Sequence, residues 1–243
     1  MTRLIELTTQ GNIAVLTMNT AENRHNLEFL TEFNQHLDEI EANQKIKSVI
    51  LTSSSEKNWS LGIDLAWMSQ PTNTLEMITQ FMSDLGTLFK RMVTFPMPII
   101  AALNGHTYGN GAVLACACDF RLMKSDKGFF CFPEVDVLVP FVPSMFPLIN
   151  KAIPQTFFNR LAMSGQRVAA QDLLDNNVIE ATFSNNEELQ AGALEFAKQF
   201  KKNRWIYGQN KSQMNKQILT TMKTEDPAFI ENVSLMLWKK LQK

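Results

Sequence analysis

Residues 98–119 read PIIAALNGHTYGNGAVLACACD. Ile99 to Leu103 is an apolar run of strand length, and Gly111 to Cys118 is apolar and small throughout. Between them, Asn104-Gly105-His106-Thr107-Tyr108-Gly109-Asn110-Gly111 carries three glycines. The reading is a buried strand, a glycine turn and a short buried helix. A strand that exits into such a turn and enters a helix leaves backbone N–H groups pointing at open space. Groups of that kind stabilise developing negative charge.

Working outward, the same grammar repeats. Ser48 to Thr52 reads as a short buried strand, and Trp59-Ser60-Leu61-Gly62-Ile63-Asp64-Leu65 follows it as a second glycine-containing strand exit. Two such turns that converge would offer two N–H donors to one oxygen. The plainer alternative is that Gly62 and Gly105 only permit tight turns with φ above zero. Leu4 to Thr9 and Ile13 to Met18 flank Gln10-Gly11-Asn12, a hairpin signal. Leu27 to Ile46 reads as a helix with Leu30, Phe33, Leu37 and Ile40 on one face. Thr74 to Thr94 is a long helix that Phe95-Pro96-Met97-Pro98 stops, because proline cannot continue the hydrogen-bond ladder.

Downstream, Phe120 to Met123 is a strand and Gly128 to Phe132 is strand-like. After Pro143 the chain turns helical: 157–163, 169–176, 187–201, 207–222 and 227–241 all have helical patterns, the last opening on the N-cap pair Asp226-Pro227. Alternating strand and helix over the first ~140 residues, followed by helices, indicates an α/β core with a helical extension. Short strand–helix–strand steps favour parallel pairing.

Composition narrows the function classes. The 243 residues carry 23 basic and 24 acidic side chains, a net charge of -1. That leaves no electrostatic footprint for nucleic acid or an anionic membrane. Apolar runs break well before the ~20 residues that span a bilayer. Three cysteines make no disulfide scaffold and point to a reducing compartment. The first residues do not read as a signal or transit peptide, and the last are not a peroxisomal address of the SKL type, so a cytoplasmic location is expected. Glycine is scarce, with 10 residues where the usual ~7% would give roughly 17.

Most chemical motifs are missing. No GxGxxG, GxxxxGK[ST] or GxSxG occurs. His36 falls on a polar helix face and reads as solvent-exposed. Cys116 and Cys118 lie two apart on a helix, face different ways and read as core thiols, so no metal site is expected. One carboxylate stands out. Glu134, in Phe132-Pro133-Glu134-Val135-Asp136-Val137-Leu138-Val139, sits at the end of an apolar strand. A carboxylate there is costly to bury charged, so its pKa should rise, which suits a proton shuttle. The alternative is a surface glutamate at a strand end, with Asp136 on the same strand face.

Taken in this order and spacing, these elements resemble the crotonase superfamily of enoyl-CoA hydratases and isomerases. Its F-S-x-G-x-D-L turn corresponds to Trp59–Leu65. Its K-P-x-I-A-A-x-N-G-x-x-x-G-G-G-x-x-L-x-x-x-C-D stretch corresponds to Pro98–Asp119, and its P-E-x-x-x-G-x-x-P to Pro133-Glu134 onward. Ser164-Gly165-Gln166-Arg167-Val168-Ala169-Ala170 and Asn177-Val178-Ile179 are similar to the motifs that follow. The resemblance covers about residues 4–200.

It implies an α/β fold of the ClpP/crotonase-like kind: a spiral of ββα repeats over residues 1–195 and a C-terminal helical trimerisation region over 196–243. It implies an acyl-CoA thioester as substrate partner and a homotrimer or dimer of trimers. No cofactor is implied beyond the coenzyme A carried by the substrate. The oxyanion donors fall on the backbone N–H groups of Ile63 and Asn110. Coenzyme A and substrate contacts fall on Arg24, Gly62, Asp64, Leu65, Gly109 and Leu138, with Arg24 as phosphate partner.

Hydratases of this family use two glutamates. Here the first position is Val113 and the second is Glu134. One carboxylate suffices to move a proton from C2 to C4 of a 3-enoyl thioester, and monofunctional Δ3,Δ2-enoyl-CoA isomerases resemble this arrangement. The expectation is therefore an isomerase with Glu134 as its single base and acid. The alternatives are a hydratase or another crotonase-type acyl-CoA reaction, and a catalytically inactive CoA-binding protein. Asn110, Leu138 and Phe141-Val142 stand where the family usually has glycine, so a crowded acyl pocket is expected, with Leu138, Phe141 and Phe146 shaping it and Tyr108 and Trp67 as further candidates.

Overall fold

The computed structural model describes residues 3–241. Positions 1, 2, 242 and 243 of the expected ranges lie outside the described residues. In chain order the elements begin with β1 (Ile5–Gln10), β2 (Ile13–Met18), β3 (Arg24–His25), α1 (Leu27–Ala42), β4 (Ser48–Ser53), β5 (Asn58–Ser60), β6 (Gly62–Ile63), α2 (Leu65–Met68) and α3 (Leu75–Thr94). Then come β7 (Ile99–Leu103), β8 (His106–Tyr108), α4 (Asn110–Ala117), β9 (Phe120–Lys124), β10 (Phe130–Cys131) and α5 (Glu134–Val137). The remainder is α6 (Met145–Asn150), α7 (Gln155–Ser164), α8 (Ala170–Asp175), β11 (Ala181–Phe183), α9 (Asn186–Ala197), α10 (Arg204–Met214), α11 (Lys216–Thr224) and α12 (Asp226–Leu241).

Three sheets follow from this order. The largest runs β1-β2-β4-β7-β9-β11, antiparallel at the β1–β2 hairpin and parallel from β2 onward. A second runs β10-β8-β5, and β3 pairs with β6. Each turn of the chain thus adds one strand to the main sheet and one to a smaller sheet beside it. The central strands β4 and β7 are buried at every position because both faces are covered. Val49, Leu51, Ile99, Ala101 and Leu103 face the main core, which α1, α3, α4 and the later helices close. Ile50, Ile100, Ala102 and Leu122 face the opposite side, where α9 covers them with Leu189, Ala193 and Ala197. Among the described residues no helix is long and apolar enough to cross a membrane.

The structure departs from the sequence reading at several points, among them β11 at Ala181–Phe183, which lies in the stretch read as helical and completes the main sheet beside β9. The first helix ends at Ala42, because Asn43 leaves helical geometry at φ -80°, ψ 98°. The helix read as continuous over 207–222 is two helices. Buried Asn215 breaks it and donates its side-chain Nδ2 to the Val93 carbonyl at 2.8 Å, which bends the chain over the end of α3. His36 is buried rather than exposed: α1 packs on β1, and its Nε2 lies 3.1 Å from the Ile5 carbonyl. Glu134 ends no strand. β10 stops at Cys131, and Glu134 opens the short helix α5, so Asp136 shares no strand face with it.

Candidate active site

Both glycine turns reach one cavity. It measures about 190 Å³ and is lined by Arg24, Leu61, Ile63, Leu65, Met68, Tyr108, Gly109, Asn110, Pro133, Glu134, Val137, Val139 and Leu237. That is below the ~300–1,000 Å³ usual for ligand pockets, so the site is narrow. Leu61, Met68, Val137 and Val139 do the narrowing, together with Leu237 from the last helix.

The first donor is at Ile63. Asp64 N–H bonds the His25 carbonyl in β3 at 2.9 Å. Successive N–H groups of a strand face opposite edges, so the Ile63 N–H faces away from β3. The second donor is at Asn110, the first residue of α4. N–H groups in the first turn of a helix have no intrahelical partner. The preceding residue, Gly109, adopts φ 54°, ψ -126° and supplies no side-chain cap. Only glycine takes that conformation readily, and it leaves the N–H groups of α4 open.

Gly62 brings the two turns together. A Cβ on Gly62 would lie 2.8 Å from the Asn110 nitrogen and 2.9 Å from the Tyr108 carbonyl, at φ 78°. Both its conformation and its space therefore demand glycine. Gly105 has no positive φ, so its place in the turn rests on close backbone approach instead.

Glu134 stands against the second turn. A Cβ on Gly109 would lie 3.7 Å from its Oε1. Its Oε2 is shut from solvent and has no hydrogen-bond partner. Burial pushes the carboxyl up to about 7, and its own backbone N–H offsets part of that rise. Among the described residues, Glu134 is the one carboxylate that lines the cavity. Val113 does not reach it: that side chain is fully packed into the main core. The cysteines Cys116, Cys118 and Cys131 are free and buried, and among the described residues no cluster of metal-ligating side chains occurs.

Other expected residues sit differently. Arg24 lines the cavity, with Nε 2.6 Å from Glu22 Oε2 and a weak 3.4 Å bond to the Ile63 carbonyl. Leu65 and Gly109 also line it. Gly62 lies behind the wall, and Asp64 caps α2 by accepting from Trp67 N at 2.8 Å. Tyr108 lines the cavity but Trp67 does not; its ring packs 5.3 Å from Phe81. Phe141 and Phe146 join Phe132 and Phe158 in a separate edge-to-face cluster. They do not shape the cavity.

Leu138 is 67% exposed and points no bulk into the cavity. It caps α5 in the left-handed region at φ 58°, ψ 46°. That conformation costs an L-residue about 1 kcal/mol or more. Leu138→Gly should therefore raise stability by ~0.5–1 kcal/mol, and denaturant unfolding against wild type checks it.

The missed residue is His25. It is 1% exposed, and burial pushes its pKa down to about 3, so the ring is neutral. It lies between Ser60 and Asn110, which is 85 residues away in sequence. No local pattern signals such a pairing.

Over residues 8–234 the chain matches the Enoyl-CoA hydratase/isomerase family. It is 24% identical over 184 residues to enoyl-CoA delta isomerase 2, peroxisomal, of Arabidopsis thaliana, covering 74% of this chain and 77% of that one. It is 30% identical over 178 residues to the short-chain-enoyl-CoA hydratase of Clostridium acetobutylicum, covering 70% and 67%. The crystal structure of human mitochondrial delta3-delta2-enoyl-CoA isomerase superposes with a TM-score of 0.89 at 20% identity, covering 98% of this chain and 95% of that one. At that identity the likeness is one of fold.

Proposed function

Because the chain belongs to the enoyl-CoA hydratase/isomerase family, we propose that it moves the double bond of a 3-enoyl-CoA thioester to the 2-position. One observation carries this reading: a single carboxylate lines an apolar cavity onto which Ile63 and Asn110 open. Glu134 takes a proton from C2 of the thioester. The electron pair moves onto the thioester oxygen as an enolate, held by the N–H groups of Ile63 and Asn110. Each such donor is worth roughly 3 kcal/mol to a developing oxyanion. The enolate then collapses with its double bond between C2 and C3, and Glu134 returns the proton to C4. Atoms and charge balance with no other reactant. Hydration would need a second group to hold the water, and Val113 is in the core instead.

The hydratase relative keeps hydration as the competing reading. Two substrates decide between them. With 3-hexenoyl-CoA, the ultraviolet absorption of the conjugated thioester should grow at enzyme-limited rate. With crotonyl-CoA, absorption should fade at least about a hundredfold more slowly, since one acid–base group of the two is missing. Fast loss of crotonyl-CoA would assign the chain to the hydratases.

Assembly and location belong to the same proposal. A homotrimer or dimer of trimers would cover the large apolar side chains left exposed on α10, Trp205 and Met214 among them. The cytoplasm remains the proposed compartment, although the isomerases compared above are peroxisomal and mitochondrial.

A further inference from the structure

The buried polar groups behind the cavity form one chain with forced proton positions. Ser60 Oγ lies 2.8 Å from the Asn23 carbonyl, which can only accept, so the single hydroxyl proton is committed there. Ser60 Oγ then accepts from Gly62 N–H at 3.1 Å and from His25 Nε2 at 2.9 Å. With its proton on Nε2, the neutral His25 ring has a lone pair on Nδ1. That lone pair accepts from Asn110 Nδ2 at 2.7 Å. The Asn110 carboxamide is thereby oriented, and its Oδ1 is left as a buried acceptor without a partner. Every partner in the chain is itself buried.

The position of this chain gives it a use. His25 lies in β3, directly paired with Ile63 of β6. Through Ser60 it reaches the N–H of Gly62, the residue before Ile63. Through Nδ1 it reaches the side chain of Asn110. One ring therefore ties the strand bearing the first donor to the helix start bearing the second. The link matters because Gly109, next to Asn110, has no Cβ to restrict its backbone and gives α4 no side-chain cap. The ring is also held flat against Phe29, with centroids 4.6 Å apart and planes 21° apart.

We infer that His25 is a positioning residue which, through the Asn110 carboxamide and Ser60, sets the separation of the Ile63 and Asn110 N–H donors. Neutrality keeps the link intact, and no titratable side chain bonds the ring: its polar partners are Ser60 and Asn110, and Phe29 covers its face. The inference rests on the oxyanion reading proposed above but not on the direction of the reaction.

A double-mutant cycle tests it. His25→Phe keeps the ring stacked on Phe29 and removes both hydrogen bonds. Asn110→Gly keeps the backbone donor and removes the carboxamide. The readout is enolate formation from bound acetoacetyl-CoA, followed by its ultraviolet absorption, with thermal unfolding recorded for each protein. In the wild-type background, His25→Phe should reduce the enolate fraction about tenfold; in the Asn110→Gly background it should change it less than about twofold. Equal losses in both backgrounds, or no loss in wild type, would overturn the inference. Should His25→Phe not accumulate folded, His25→Leu makes the same comparison. A protein that enolises acetoacetyl-CoA with this coupling but does not convert 3-hexenoyl-CoA would refute the isomerase reading and leave the role of His25 standing.

Discussion

Glu134→Gln should lower kcat for 3-hexenoyl-CoA about a thousandfold, within the range that one positioned acid–base group supplies. KM should stay within about threefold, because the change removes a proton carrier and leaves the cavity walls in place. The wild-type rate should depend on pH in a stated direction. Glu134 must be ionised to take the C2 proton, and burial holds its carboxyl near 7. kcat/KM should therefore rise with pH up to about 7 and then level. Isomerisation that survives Glu134→Gln would remove this residue from the mechanism.

The same substitution carries a stability signature. An acid whose folded pKa lies above its ordinary value of 4.5 binds its proton more tightly in the fold. Its stabilising contribution is complete below pH 4.5 and is lost as pH rises through about 7. A rise of that size corresponds to roughly 3 kcal/mol between the two limits. Glutamine has no such proton. The difference in unfolding free energy between wild type and Glu134→Gln should thus turn against wild type from acid to neutral pH and then stay flat. Urea titrations at several pH values measure it.

Gly62→Ala should be strongly damaging, because it combines a steric clash with a positive φ. Its Cβ would stand 2.8 Å from the Asn110 nitrogen, with the backbone at φ 78°. The turns must separate, and backbone on both sides can give little. A loss of about 2–4 kcal/mol in stability is expected from strain and close contact together. Separation of the donors should also lower kcat/KM by ~10²-fold or more, as loss of one oxyanion donor does. Gly86→Ala is the control: φ is ordinary, the site is helical, and nothing lies within 4 Å of the added Cβ. It should be neutral or slightly stabilising. Equal effects at both positions would refute the convergence of the two turns.

Much of this site is visible in one dimension because its parts are local. A glycine turn between an apolar run and a helix can be read from about ten residues, as at 99–111 and at 59–65. The proline–glutamate pair at 133–134 is read the same way. Secondary structure misled where packing overrode pattern. Leu138 looked like bulk placed in the pocket, yet the helix beginning at Glu134 turns it out to solvent. Phe141 and Phe146 looked like pocket walls, yet other phenylalanines provide a better apolar partner. The scarcity of glycine did correspond to a narrow cavity, but the side chains that narrow it include Met68 and Leu237, which no motif marked.

By itself, the sequence determined the α/β class, the first strands of the main sheet and the three segments that meet at the cavity. Those are consequences of short-range periodicity and of glycine and proline, which act within a few residues. Only the tertiary structure decided that Gly62 touches Asn110, that Val113 is core while Glu134 faces the cavity, and that His25 bridges the two donors. Each of these is a contact between residues far apart in the chain. Such contacts depend on how sheets and helices close on one another, and no local spacing encodes that closure.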